Sequence, residues 1–260
     1  MRVTLVSHTP DPQRLIETCA RISYDSKNEP FDPKVNSEFI RKLIRKGHML
    51  PFEHASATFL FEGISRTCSH QIVRHRIASI SQKSGRYVKF DPDKCLFVWP
   101  SSVKNGGPKA IMAANMAMSA AHDCYNALID AGVPKEDARF FLPQAEETSL
   151  YMTANFREWR HFLELRLDRH AQWEIRAVAR EVLRKLCVDG MYDCFADIQA
   201  EFDCEAVSAD GERDGQPDND KVVDMLKGRR FTEDQLADIE RIVSSVRDAL
   251  RMESKAGYRK

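Results

Sequence analysis

Residues 51–78 read PFEHASATFLFEGISRTCSHQIVRHRIA, and the change of period inside this stretch decides the fold. In its first half Ala55, Ala57, Phe59 and Phe61 fall on one side of an extended chain, with Ser56, Thr58 and Leu60 on the other. That alternation predicts a strand. From Ile64 the spacing turns helical, and a helix is expected over 64–78. On it Gln71, Arg74, His75 and Ala78 share a face by i, i+3, i+4 spacing, while the adjacent Arg74, His75 and Arg76 point in different directions.

Working outward, RVTLVS at 2–7 reads as a first strand, and 11–24 as a helix with Pro12 tolerated in its first turn. Residues 34–46 place Phe39 and Leu43, and Ile40 and Ile44, at helical spacing, and Gly47 follows as a stop. Downstream, RYVKF near 86–90 and CLFVW near 95–99 are short strand candidates. A loop at 105–108 precedes an Ala/Met-rich helix at about 109–131, and Pro134 opens a helix that ends before Pro143. Residues 155–188 read as one long helix rich in Arg and Trp. The fold class is α/β, of the mixed α+β kind: one helix-rich domain over 1–204. Residues 201–220 are dominated by acids and read as a solvated linker; 232–252 has an apolar stripe from Leu236 to Leu250. Residues 205–260 are therefore expected to add an acidic linker and a C-terminal amphipathic helix.

The 260 residues are 43% hydrophobic, enough for a sizeable core, and 39 basic side chains balance 39 acidic ones. A neutral chain is not a general binder of nucleic acid or anionic lipid. There is no apolar run long enough to span a membrane, and the start, MRVTLVSHTP, lacks a signal-peptide pattern. Seven cysteines without a C-x-x-C pair point to reduced thiols and a cytoplasmic setting.

Against this balance, the segment between Glu62 and Asp91 has no acid at all and holds Arg66, Arg74, Arg76, Lys83, Arg86 and Lys89. Ser79, Ser81, Gln82 and Ser84 lie among them. Guanidinium forks beside hydroxyl and amide donors suit an anion, with phosphate the natural candidate. Ser84-Gly85-Arg86 can turn backbone N–H groups toward the same ligand, with Gly85 allowing close approach. A solvated basic face is the alternative, and it stands level for Lys83 and Lys89. On the expected long helix, Asn155, Phe162, Arg166, His170 and Trp173 share a stripe at 100° per residue. An inward Arg166 needs an anionic or polar partner: Glu174, Asp168 or a bound ring on which charge develops. Arg157 and His161 lie on other faces. H-E-x-x-H, G-x-G-x-x-G, the P-loop and the G-x-S-x-G elbow are absent, so no metal site, dinucleotide fingerprint or serine hydrolase is indicated. Cys68 reads as a small core thiol. A nucleic-acid surface on 66–89 is the rival from another class, with Tyr87 as its single aromatic residue. A third reading makes 232–252 a partner-recruiting helix.

Arg74-His75-Arg76, then seven residues, then Ser84-Gly85-Arg86-Tyr87 resembles the signature of the flavin-dependent thymidylate synthases. PFEH at 51–54, the 139–143 segment RFFLP and LRLDRHAQWEI at 165–175 follow in the family's order, so the resemblance covers about 1–200. It implies a homotetramer whose sites are shared between subunits, with no nucleic acid or membrane as partner. It also implies FAD as cofactor, NADPH and 5,10-methylenetetrahydrofolate (the folate partner) as co-substrates, and reductive methylation of dUMP to dTMP. Carried over residue by residue, Arg74, His75, Arg76, Gln82, Asn155, Arg157, His161, His170, His48 and Ser23 match flavin-side positions. Gln71, Arg74, Gln82, Ser84, Gly85, Arg86, Arg139 and Arg166 match dUMP positions, with Arg166 as the catalytic residue polarising the uracil. His161 departs from an Asn of some members, and Leu50 stands where some have a hydroxyl.

Overall fold

The computed structural model describes residues 1–23, 25–26, 32–89, 97–188 and 191–208, with side chains as far as 202. Its centre is β2 (Ser56–Ser65), the strand expected from the alternation, which buries Ala57, Phe59 and Phe61. β1 (Arg2–His8) pairs along one edge and β4 (Glu147–Asn155) along the other; β3 (Ser79–Gln82) lies outside β4. The sheet order is β1-β2-β4-β3, and every pairing is antiparallel. Register is set by matched faces: Phe59 stands opposite Met152 and Phe61 opposite Leu150, all buried. The β2–β4 register shifts between Glu62 and Ile64, where Gly63 takes φ +69°.

Helices cover this apolar face. α1 (Pro12–Ile22) and α2 (Pro33–Arg45) bury Ile16, Ala20, Ile40 and Leu43, and α2 stops before Gly47 as expected. α3 (Arg66–Ile72) leaves β2 directly, because the Ser65 hydroxyl accepts the Cys68 N–H at 3.0 Å and so caps it. α4 (Ser101–Asn105) and α5 (Gly107–Asp130) follow, then the short α6 (Lys135–Ala138) and a 3₁₀ turn at Arg139–Phe141. α7 (Phe156–Leu167) and α8 (Trp173–Leu186) complete the core; Trp159 stacks edge-on against Phe59 and donates its indole N–H to the Ala57 carbonyl at 3.0 Å. α9 (Ala196–Ser208) ends the described chain.

Three expectations are corrected. The helix over 64–78 is only α3: β2 runs on to Ser65, and the chain turns after Ile72, with the His75 N–H donating to the Ile72 carbonyl. Arg74-His75-Arg76 therefore lies in a turn beyond the helix. The helix over 155–188 is two: Asp168 is extended (φ −50°, ψ 139°), and the Gln172 side chain caps α8 by accepting from the Glu174 and Ile175 N–H groups. The expected stripe is broken with it, since Asn155 is the cap of α7, His170 is in the intervening loop and Trp173 opens α8. Residues 86–88 form a turn, not a strand, and among the described residues of CLFVW only Phe97 makes a bridge, to Glu146. β4 was not anticipated. Phe90, Cys95 and Leu96 of these candidates, residues 209–220 of the acidic linker and the 232–252 helix lie outside the described residues. Residues 201–208, expected to begin the solvated linker, instead form the end of the helix α9.

Candidate active site

Three groups of the sequence-selected side chains come together. The first is built where α3, the turn after it and α7 meet. Arg166, in the last turn of α7, donates Nε–H to His75 Nε2 at 3.1 Å and Nη2–H to the Gln71 carbonyl at 3.3 Å. His75 Nδ1 lies 3.1 Å from Glu158 Oε1, and Glu158 is buried. Burial, and after it the charge of Arg74, holds the Arg166 guanidinium below its usual value. A guanidinium has five N–H donors in a plane. The edge carrying Nε and one Nη2 hydrogen is occupied; Nη1 and the second Nη2 hydrogen carry no hydrogen bond among the described residues. His161 packs its ring 5.9 Å from that of His75. The partners expected for an inward Arg166 are used elsewhere: Glu174 accepts the Ser65 N–H and hydroxyl, and Asp168 pairs with His170.

The second group is the phosphate corner. Arg86 N–H donates to Ser84 Oγ at 3.2 Å, closing the turn. A Cβ on Gly85 would lie 3.2 Å from Arg139 Cδ, so the missing side chain is what lets Arg139 lie across this turn. Arg66, Lys83, Ser84, Gly85 and Lys89 line a narrow cleft with Glu146 in its wall. Cations, a hydroxyl and turn N–H groups are a donor set that fits a phosphomonoester. Arg86 is held by Glu136 at 2.8 Å.

The third group is a cavity of about 350 Å³ lined by Ala20, Ser23, Leu43, His48, Leu50 and Arg157. Its volume is in the range of small-molecule sites. Apolar walls with a cationic rim fit part of a flavin dinucleotide; Arg157 is tied to Glu53 at 2.6 Å.

Other selected residues stand apart. His170 is exposed and pairs with Asp168 at 2.9 Å. Asn155 spends its Oδ1 on the Glu158 N–H at 2.9 Å, and Gln82 donates its amide to Ser69 at 2.9 Å and Thr148 at 3.3 Å. Arg74 and Arg76 are exposed. Sequence reasoning missed Glu158, Glu136 and Glu146, because an acid that meets a base across the fold leaves no local spacing to detect. Among the described residues no group of His, Cys, Asp and Glu could hold a metal ion.

Comparison with known proteins bears on this geometry. Residues 4–188 match the family model described as thymidylate synthase complementing protein. A flavin-dependent thymidylate synthase from Geobacter sulfurreducens is 48% identical over 189 residues, 71% of this chain and 81% of that protein. One from Pyrococcus furiosus is 41% identical over 199 residues, covering 72% and 79%. Among solved structures, the UMP/dUMP methylase PolB from Streptomyces cacaoi, bound with 5-Br dUMP, superposes with a TM-score of 0.66 at 27% identity, over 75% of this chain and 94% of that one. Fold and matches define the class, an enzyme of the methyltransferase type. Within that class the chain belongs to the flavin-dependent thymidylate synthase family.

Proposed function

We propose that this chain converts dUMP to dTMP with bound FAD, taking the one-carbon unit from 5,10-methylenetetrahydrofolate and reducing equivalents from NADPH. The observation that carries the reading is Arg166: a half-buried guanidinium anchored along one edge by His75 and Gln71, with its other edge unused. When bound, the flavin supplies the hydride that completes the methyl group. The chain's own residues do the rest. Ser84, Gly85, Arg86 and Arg139 hold the phosphate, so binding at the remote end orients the ring. Arg166 donates to a uracil carbonyl and stabilises the negative charge that develops as C5 becomes nucleophilic. One positioned donor of this kind contributes roughly 10²–10³-fold in rate. Ser23, His48 and Arg157 line the flavin side, with Arg74, His75, Arg76, Gln82, Asn155, His161 and His170 as further flavin-side candidates.

Cys68 sits near Arg166, but burial first, and Glu174 second, push its thiol up, so it stays protonated and is not a nucleophile toward C6. Chemistry without an attacking cysteine agrees with that placement.

We further propose a homotetramer with sites shared between subunits. α5, rich in Ala and Met, fully buries only Tyr125, and Ile77, Tyr87, Phe140 and Phe141 are exposed. Apolar surface of this extent marks a protein contact. Cys19, Cys68, Cys124 and Cys194 are unpaired thiols, which supports a cytoplasmic setting; no helix among the described residues is long and apolar enough to cross a membrane. Residues 205–260 are proposed to lie outside the catalytic domain; truncation after Glu205 is expected to leave turnover and the tetramer unchanged, and loss of turnover would overturn a peripheral tail.

The structural likeness to a UMP/dUMP methylase favours a second reading, methylation of UMP on the same scaffold. Initial rates with dUMP and with UMP decide between them: dUMP is expected to be the better substrate, and preference for UMP replaces the first reading with the second.

A further inference from the structure

The first turn of α7 brings a carboxylate to the side of His75 away from Arg166. Glu158 is 6% exposed and His75 5%. Glu158 Oε1 is 3.1 Å from His75 Nδ1, and Arg166 Nε donates to His75 Nε2 at 3.1 Å. A guanidinium is always protonated and has no acceptor, so Nε2 is the bare nitrogen of the ring. The ring proton is therefore on Nδ1 and is donated to Glu158. Both ends of the imidazole are committed, and the rings of Phe162 at 4.9 Å and His161 at 5.9 Å pack against it. Burial is the main cause holding the His75 pKa below its ordinary value, against the opposing hydrogen bond to Glu158, which agrees with a neutral ring. Glu158 is itself fixed, because its backbone N–H is capped by Asn155.

We propose that Glu158 is a positioning residue for Arg166, acting through His75: by accepting the Nδ1 proton it keeps Nε2 free to accept from Arg166 and holds the guanidinium with its unused edge toward the uracil. This rests on the reading of Arg166 given above. Without the carboxylate the other tautomer opens; two N–H groups then face each other, and Arg166 swings away from its working orientation. A carboxylate that sets a histidine's tautomer, and through it a reacting group, is a recurring device.

The test uses full-length protein carrying ¹⁵N-labelled histidine, with Glu158→Ala and Glu158→Gln as variants. In the wild type the His75 signals are expected to show Nδ1 protonated and Nε2 bare. Glu158→Ala is expected to shift the ring toward the Nε2–H form and to lower kcat for dTMP formation by about 10- to 100-fold, with the KM for dUMP and the flavin content unchanged. Glu158→Gln, whose amide oxygen can accept the same proton, is expected to keep the wild-type tautomer and to lose no more than about fivefold in kcat. A wild-type ring protonated on Nε2, an Ala variant with unchanged tautomer, or an Ala variant with full kcat each overturns the proposal. The wild-type spectrum needs no variant to fold. Wild-type protein that makes no dTMP but shows the Nδ1–H ring would sink the assigned reaction and leave the Glu158–His75 relation standing.

Discussion

Arg166 Nε lies 3.1 Å from His75 Nε2, so the middle residue of the Arg74-His75-Arg76 triplet serves as a hydrogen-bond acceptor for the guanidinium assigned to the uracil. The two residues are far apart in sequence. They meet because α3 ends after about two turns, and the chain doubles back against α7.

Arg166→Ala is expected to lower dTMP formation by about 10²–10³-fold while the purified protein stays yellow. Initial rates and an absorption spectrum on the same preparation check this. Complete loss of flavin would show that the side chain serves the cofactor instead.

Arg86→Ala is expected to raise the KM for dUMP with a smaller effect on kcat, since phosphate contacts position the ring. Glu136→Gln should act in the opposite direction. Its carboxylate holds Arg86 at 2.8 Å and repels an incoming phosphate. Both partners of the pair are about half exposed, so the gain in nucleotide affinity is modest, up to about fivefold. Unchanged KM in both variants would remove Arg86 from the phosphate site.

Asp193→Ala is expected to destabilise the fold by about 1–3 kcal/mol without touching the chemistry. Burial pushes this carboxyl up, but hydrogen bonds from Ser37, Arg41 and Gln13 together outweigh it and hold it below the usual value. Asp193 thus ties α1 and α2 to the 3₁₀ turn at Tyr192–Cys194. Because the folded pKa is depressed, the stabilisation is fully present above the ordinary value of 3.8 and is lost as pH falls through the folded pKa. Denaturant midpoints at neutral and acid pH check this: the gap between wild type and variant should shrink in acid.

His75 gives a second pH dependence. Its folded pKa lies below 6.5, so below that pH the unfolded chain binds a proton that the folded chain does not. Stability should therefore fall as pH drops from about 6.5 toward the folded pKa. Histidine titration by NMR is expected to find His75 neutral throughout the physiological range; a ring that titrates near 6.5 would contradict the buried, doubly bonded arrangement.

How much of this was legible in sequence follows from what each feature depends on. β2 was readable because period-two alternation is local, and so was α2, with Ile40 and Leu43 inward. β4 carries the same signal in Thr148, Leu150, Met152 and Ala154, all buried, and was missed in the unassigned stretch between the helix expected to end before Pro143 and the one expected from 155. The break at 168–172 was hidden because residues with good helical propensity flank it, and only the Gln172 cap and the extended Asp168 reveal it. The cation cluster was legible as a departure from a balanced composition. Its acidic counterparts Glu136, Glu146 and Glu158 were not, since tertiary pairing leaves no trace in spacing.

The most direct measurement is product analysis: purified protein with FAD, incubated with dUMP, 5,10-methylenetetrahydrofolate and NADPH, with nucleotides resolved by mass. The account predicts dTMP, formed only when all of these are present and lost in Arg166→Ala. Flavin-loaded protein that oxidises NADPH yet returns dUMP unmethylated would contradict it.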